Sequence, residues 1–280
     1  MFDRIRRSWD LTKQSAALLA KDKVLMLFPL LSGMASIAVM ASFIVPVFAT
    51  GAWKSLQHQH QVTPAEYVFL FAFYFCTYFV TIFFNCALMA SANMALAGGR
   101  ATLRDGFGFA LQRLGRIIMW TLVACTVGLL LRTLEERAGK LGRIVIALLG
   151  SAWSIMTYFI VPVIVFEDQD VFDGIRRSAF LVKQTWGESV GRALSFIVIG
   201  LLGLCVVFGG GFAGMIVHPL VGLLFMLVSF IFLVTMMSAM SGIYTVALYR
   251  YACHGVVAEG FSQELIQGAF AEKKKSKFGF

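Results

Sequence analysis

Six long stretches of the chain carry no Asp, Glu, Lys, Arg or His. They are residues 24–53, 67–99, 117–131, 144–166, 193–217 and 219–249, of 30, 33, 15, 23, 25 and 31 residues. A bilayer's hydrocarbon core is about 30 Å thick, and about 20 helical residues cross it. Five runs suffice. The third is short and must borrow from 111–116, with Arg113 and Arg116 reaching back to the headgroups. His218-Pro219 divides the last two runs by a very tight turn. The runs are continuously apolar, whereas a membrane barrel needs alternating segments of about ten residues. Helices also satisfy their own backbone groups in lipid. The pattern predicts an all-α polytopic membrane protein with six transmembrane helices. They form one domain over 1–260, followed by a basic cytoplasmic tail at 261–280.

The pattern also repeats. Residues 5–14 read IRRSWDLTKQ and residues 175–184 read IRRSAFLVKQ, identical at seven of ten positions without a gap. At the same offset Leu31 and Gly33 fall on Leu201 and Gly203, which aligns the first helix with the fifth. A weaker third copy begins at Asp105-Gly106-Phe107, matching Asp173-Gly174-Ile175. Each unit reads as a basic amphipathic segment followed by two spans, over about 1–100, 101–168 and 169–253. All three basic segments fall on one side, so the repeats are expected to run parallel, about an axis along the membrane normal.

Lys and Arg set the expected orientation. The N-terminal segment, the second-to-third and fourth-to-fifth connections and the C-terminal segment hold 19 of the 24. The other side holds Lys54, Arg132, Arg137, Lys140 and Arg143. The heavy side is expected to be cytoplasmic, with both termini inside and the protein in the cytoplasmic membrane. The connection 132–143 is the discordant one, offset in part by Glu135 and Glu136.

Composition sharpens the class. Hydrophobic residues make up 59% of the chain and charged residues 14%, and the mean hydropathy is +0.81. A soluble domain has about 45–50% and about 25%. A water-soluble enzyme, a disordered chain and a nucleic-acid binder are thereby excluded. The net charge of +9 sits on segments flanking apolar runs, so anionic lipid headgroups are the natural partner. Four of the five cysteines (Cys76, Cys86, Cys125, Cys205 and Cys253) lie inside apolar runs and read as small apolar residues. The first run is too long for a cleaved signal peptide.

The candidate headgroup residues are Arg6, Arg7, Lys13, Arg176, Arg177 and Lys183. On a helical wheel Ile175, Ala179, Val182 and Trp186 share a face, Arg177 and Gln184 point away, and Asp173 is placed as an N-cap. Two readings stand: a helix that merely connects spans, and one lying in the headgroups with Trp9 and Trp186 as anchors. Buried ionisable residues mark transport paths, and none sits near the middle of any run. Asn85 and Asn93 either line a cavity or bond to a neighbouring helix. Small residues four apart (Ala87, Ser91 and Ala95; Gly210 and Gly214; Ser238 and Gly242) suit close helix packing. Gly209-Gly210-Gly211 marks a place where the fifth helix is open to breaking, a candidate gate. His58, His60 and His218 are all expected on the outer side, as solvated imidazoles or as metal ligands lacking a completing thiolate or carboxylate. Glu167, Asp168, Asp170 and Asp173 read as a solvated turn with a cap. In the tail, Phe261, Leu265, Ile266 and Phe270 with Lys273, Lys274, Lys275 and Lys277 either dock on an anionic surface or form a solubilising end. No phosphate loop, nucleophile elbow or zinc-protease motif occurs, and no cofactor is expected.

The opening RIRRSWDLTKQS with KDKVLMLFPLLSG, and the closing ALYRYACHGVVAEGFSQELIQGAF, resemble an uncharacterised prokaryotic family of integral membrane proteins. The segment DGIRRSAFLVKQTWG is similar to segments of bacterial membrane domains, some fused to glycerophosphodiester phosphodiesterases. The phosphodiesterase's own barrel is absent, so its activity does not carry over. The resemblance implies a multi-pass membrane protein and names no substrate or site residue. The expected function is a non-enzymatic lipid-interacting or membrane-organising protein. The alternative is a transporter or permease component for an apolar or amphiphilic solute.

Overall fold

The computed structural model describes residues 13, 15–49, 64–167 and 169–254, with the side chains of 64, 184–195, 251 and 254 left aside. Arg6, Arg7, Trp9, His58, His60, Asp168 and the tail 261–280 lie outside the described residues. Helix is the only regular structure among those described. After a helical stretch at 15–21 come α1 (Val24–Ala49), α2 (Pro64–Leu96), α3 (Leu103–Gln112) and α4 (Leu114–Arg137). Then follow α5 (Lys140–Met156), α6 (Ile160–Phe166), α7 (Val171–Val217) and α8 (Pro219–His254).

Among the described residues, six segments are long and apolar enough to cross a membrane: Val24–Ala49, Ala65–Leu96, Leu114–Arg137, Lys140–Phe166, Phe196–Val217 and Pro219–Arg250. Their surfaces confirm the class. Ile37, Val68, Leu148, Val206, Phe212, Ile216 and Leu220, among many large apolar side chains, stand exposed. A soluble monomer rarely exposes an apolar patch above a few hundred Å². Lipid is the solvent in which such helices are stable.

The third span gains length at both ends. Arg113 turns out of the helical path between α3 and α4 (φ −111°, ψ 16°), so 111–113 add nothing to α4. Leu114, Gly115 and Arg116 join α4 as expected, and a longer extension lies at the other end, where α4 continues past the apolar run to Arg137. Arg132 holds that end. Its Nε donates to Glu136 Oε1 at 3.3 Å, one turn on, and its Nη1 donates to the Tyr74 hydroxyl. The connection expected over 132–143 shrinks to Ala138-Gly139, and its charges become helix ends.

The fourth span is not one helix. Pro162 lacks an N–H, and in a continuous helix its ring would strike the Tyr158 carbonyl. The chain leaves helical geometry at 157–159 and resumes as α6. The Thr157 hydroxyl donates to Trp153 O at 2.8 Å, tightening the end of α5.

The described chain forms two compact units. The first takes in residues up to Met26, then Ser91–Ala101 and the chain from Phe180; the second takes in Leu27–Ala90 and Thr102–Ala179. In the first, the C-terminal half of α8 is the core: Ala239, Met240, Ile243, Tyr244 and Val246 to Tyr249 are all buried. The Asp22 carboxylate accepts the Ala101 N–H at 3.2 Å and ties the start of the unit to the end of the α2 turn. In the second unit, Phe71, Phe75, Phe79 and Phe83 stack four apart along α2. Phe107 of α3 closes that ladder against Phe83, Phe84 and Phe28. Trp120 of α4 stacks on Trp153 of α5.

Candidate functional site

The basic segment of α7 is continuous with the fifth span, within one helix of 47 residues. That helix begins at Val171, one turn earlier than an Asp173 cap would set. The residue before the helix is Asp170, whose carbonyl accepts the Gly174 N–H at 2.8 Å. Asp173 sits within the first turn and accepts from Arg176 Nη1 at 3.3 Å. An acidic side chain there also meets the positive end of the helix dipole.

The inward face is rotated from the one read off the sequence. Val171, Gly174, Ser178, Leu181 and Val182 are buried, whereas Ile175 and Ala179 are half-buried. The small residues decide this. Gly174 lies against Ile160 and Val163 of α6, where an added Cβ would come within 3.2 Å of Ile160 Cδ1. One turn on, the Ser178 hydroxyl accepts the Phe159 N–H at 3.0 Å, both residues being fully buried. That N–H would bond Ile155 O if the helix were unbroken. The serine of the basic motif therefore satisfies the gap that Pro162 opens in the preceding span.

Arg177 completes the clasp. Its Nε lies 3.1 Å from both Oε1 and Oε2 of Glu167, and both side chains are largely shielded. Of the expected headgroup residues, then, Arg177 is engaged inside the protein. Arg176 is different, with a side chain 85% exposed. Phe172, Arg176 and Phe180 are exposed four residues apart along one helix, with Lys183 exposed just beyond. Lys13 is exposed.

Several of the other candidates take part in packing. Arg250 Nη1 donates to both the carbonyl and the Oδ1 of Asn93, each at 3.2 Å, so that amide joins α2 to α8. Asn85 is half-buried on α2. The break expected at Gly209-Gly210-Gly211 does not occur, because α7 runs through it to Val217. Gly210 and Gly211 leave room instead for Phe225 and Met226 of α8, whose side chains occupy the places their Cβ atoms would take. Nearer the turn the backbones themselves meet, and a Cβ on Gly214 would lie 3.0 Å from Gly222 Cα. His218 Nδ1 accepts the Leu220 N–H at 3.2 Å and so caps α8. No group of three His, Cys, Asp or Glu side chains suited to a metal forms among the described residues.

Ser178 was not assigned a role in the sequence, and Glu167, read there as part of a solvated turn, is instead paired with Arg177 and largely shielded. Pro162 was the signal for the break, and the Arg-Arg-Ser identity of the repeat was the signal for the serine.

Six lipid-exposed apolar helices, one of them carrying an exposed basic and aromatic segment, define a multi-pass α-helical membrane protein. Residues 64–260 match the model of a family of unknown function, DUF6159, and the chain belongs to that family. No curated protein and no solved structure matches it.

Proposed function

We propose that the protein is a non-enzymatic, lipid-interacting component of the cytoplasmic membrane. It holds anionic headgroups on its cytoplasmic side. The observation that carries this reading is the exposed stripe Phe172, Arg176 and Phe180, with Lys183 beside it. A solvated helix has no use for phenylalanines exposed between cations. At a bilayer surface the rings enter the acyl boundary while the cations remain among the headgroups. The distribution of Lys and Arg, 19 on one side and five on the other, supports a cytoplasmic location for this segment and for both termini. The three parallel repeats belong to the same proposal, since they place a basic segment before each odd-numbered span. So does the distant similarity to membrane domains fused to glycerophosphodiester phosphodiesterases, which rests on DGIRRSAFLVKQTWG alone. The alternative, a transporter or permease component for an apolar or amphiphilic solute, rests on six helices, parallel repeats and the glycine cluster, and the last of these receives side chains of α8.

The test is lipid retention. Full-length protein is extracted from membranes and its bound lipids are counted by native mass spectrometry. Arg176→Glu with Lys183→Glu leaves the Glu167 clasp intact and should lower bound phosphatidylglycerol several-fold. Retention equal to the unmutated protein would sink the reading.

A further inference from the structure

We infer that the tip of the α4–α5 hairpin holds anionic phospholipid headgroups of the leaflet opposite the α7 stripe. The link Ala138-Gly139 joins the third span to the fourth, whereas the stripe follows the fourth. One crossing separates them, so they face opposite leaflets. The inference goes beyond the proposed function, which concerns the stripe's leaflet, and stands without it.

The tip carries more positive charge than the protein itself neutralises. Residues 132–143 hold Arg132, Arg137, Lys140 and Arg143 against Glu135 and Glu136. Arg132 is committed to Glu136 and to the Tyr74 hydroxyl. That leaves Arg137, Lys140 and Arg143 facing the single carboxylate of Glu135, and all four side chains are exposed. Among the described residues no hydrogen bond or ion pair engages the side chain of Arg137, Lys140 or Arg143.

Packing holds these three cations together. α4 and α5 run side by side, with Trp120 stacked on Trp153 and Leu131 Cδ1 3.8 Å from where Gly150 would carry a Cβ. At the tip Gly142 comes so near the link that a Cβ there would lie 2.9 Å from Ala138 Cβ. The reversal takes two residues, so Arg137 and Lys140 stand at adjoining ends of two packed helices, with Arg143 one turn further on.

Apolar stripes lead to the cations. On α4, Leu130, Leu134 and Arg137 are exposed four and three residues apart, and so lie along one face. On α5, Lys140, Ile144 and Leu148 are exposed four apart in the same way. Leu141, next to Lys140 at the very end, is 80% exposed. A phospholipid has the matching form. Its acyl chains lie along the leucine and isoleucine stripes, and its phosphate meets the cations that end them. A soluble acidic partner would engage the cations but not the apolar side chains set between them. The excess charge then selects among lipids. Phosphatidylcholine brings its own cation to the tip, and phosphatidylglycerol does not.

The experiment titrates full-length protein in detergent with equal amounts of phosphatidylglycerol and phosphatidylcholine and reads bound adducts by native mass spectrometry. Arg137→Gln, Lys140→Gln and Arg143→Gln together should lower phosphatidylglycerol adducts about tenfold and leave phosphatidylcholine adducts unchanged. The thermal midpoint in lipid-free detergent should hold, because no bond within the described protein is lost. Arg137→Lys with Arg143→Lys keeps the charge and should keep the binding. Phosphatidylglycerol adducts unchanged in the triple variant, or an equal fall for both lipids, would overturn the inference. Arg176→Glu with Lys183→Glu, measured in parallel, reports on the α7 stripe, and its loss should add to that of the triple variant. Either site can therefore fail while the other stands.

Discussion

The backbone N–H of Phe159 is held by the side-chain hydroxyl of Ser178, nineteen residues later in the chain, at 3.0 Å in a fully buried setting. One residue repairs what another breaks. Pro162 interrupts the fourth span, and the polar group so released finds its acceptor on the basic motif that follows. The motif thus has an inward role in addition to its outward charge.

Ser178→Ala removes the acceptor and leaves the donor buried. The expected cost is about 1–3 kcal/mol, seen as a lower thermal midpoint of the purified protein. Ala179→Ser, one position around the helix, serves as the control for helix propensity and should change little. Equal midpoints for Ser178→Ala and the unmutated protein would contradict the repair.

The Arg177–Glu167 pair should behave unlike the Arg176–Asp173 pair. The first is mostly shielded and doubly bonded, and the second is exposed. Arg177→Gln should cost about 1–3 kcal/mol, since it strands a shielded carboxylate. Arg176→Gln should cost less than about 0.5 kcal/mol. A double-mutant cycle with Glu167→Gln checks the assignment, because the coupling should vanish once either partner is gone.

Glycines of the α7–α8 hairpin should divide sharply. A Cβ on Gly222 would lie 2.6 Å from Gly211 O and 2.7 Å from Met215 N. Both obstacles are backbone atoms, so Gly222→Ala should destabilise by about 1–3 kcal/mol. Gly209, only two residues before Gly211, has nothing within 4 Å of its Cβ position. Gly209→Ala should be neutral or stabilise by about 0.5–1 kcal/mol through helix propensity. Thermal midpoints of the two variants in one detergent decide the matter, and the same sign for both would refute it.

The proposed orientation makes a labelling prediction. With the five native cysteines replaced, Gly139→Cys in the short α4–α5 link should react with an impermeant maleimide added to intact cells. Arg104→Cys, exposed on α3, should react only after the membrane is opened. The reverse pattern would invert the topology.

Much of the fold was legible because lipid imposes a single strong rule: long apolar runs become helices. The six runs at 24–53 to 219–249 correspond to the six spans. What the runs hid was their internal punctuation. Pro162 carries no charge, so the run 144–166 passed as one helix although a missing N–H had already divided it. The C-terminal end of α4 was misjudged for the opposite reason. Arg132, Glu135 and Glu136 read as a connection, yet the pair Arg132–Glu136 and the Tyr74 hydroxyl carry the helix onward. The candidate site was legible only in part. Arg176 and Lys183 could be read as outward cations. That Arg177 turns inward depends on Glu167, which only tertiary packing brings beside it. The glycine trio misled because glycine signals both a break and a close approach, and the bulky partners Phe225 and Met226 decide between them.

Between α7 and α8 the path reverses at His218 alone, with Gly214 and Gly222 nearly touching behind it. Neither helix has a charged flank at that end with which to anchor separately. The pair therefore has to enter the bilayer as one folded pin. A biosynthetic intermediate stalled between the fifth and sixth crossings would leave an oily segment in water with nowhere to rest.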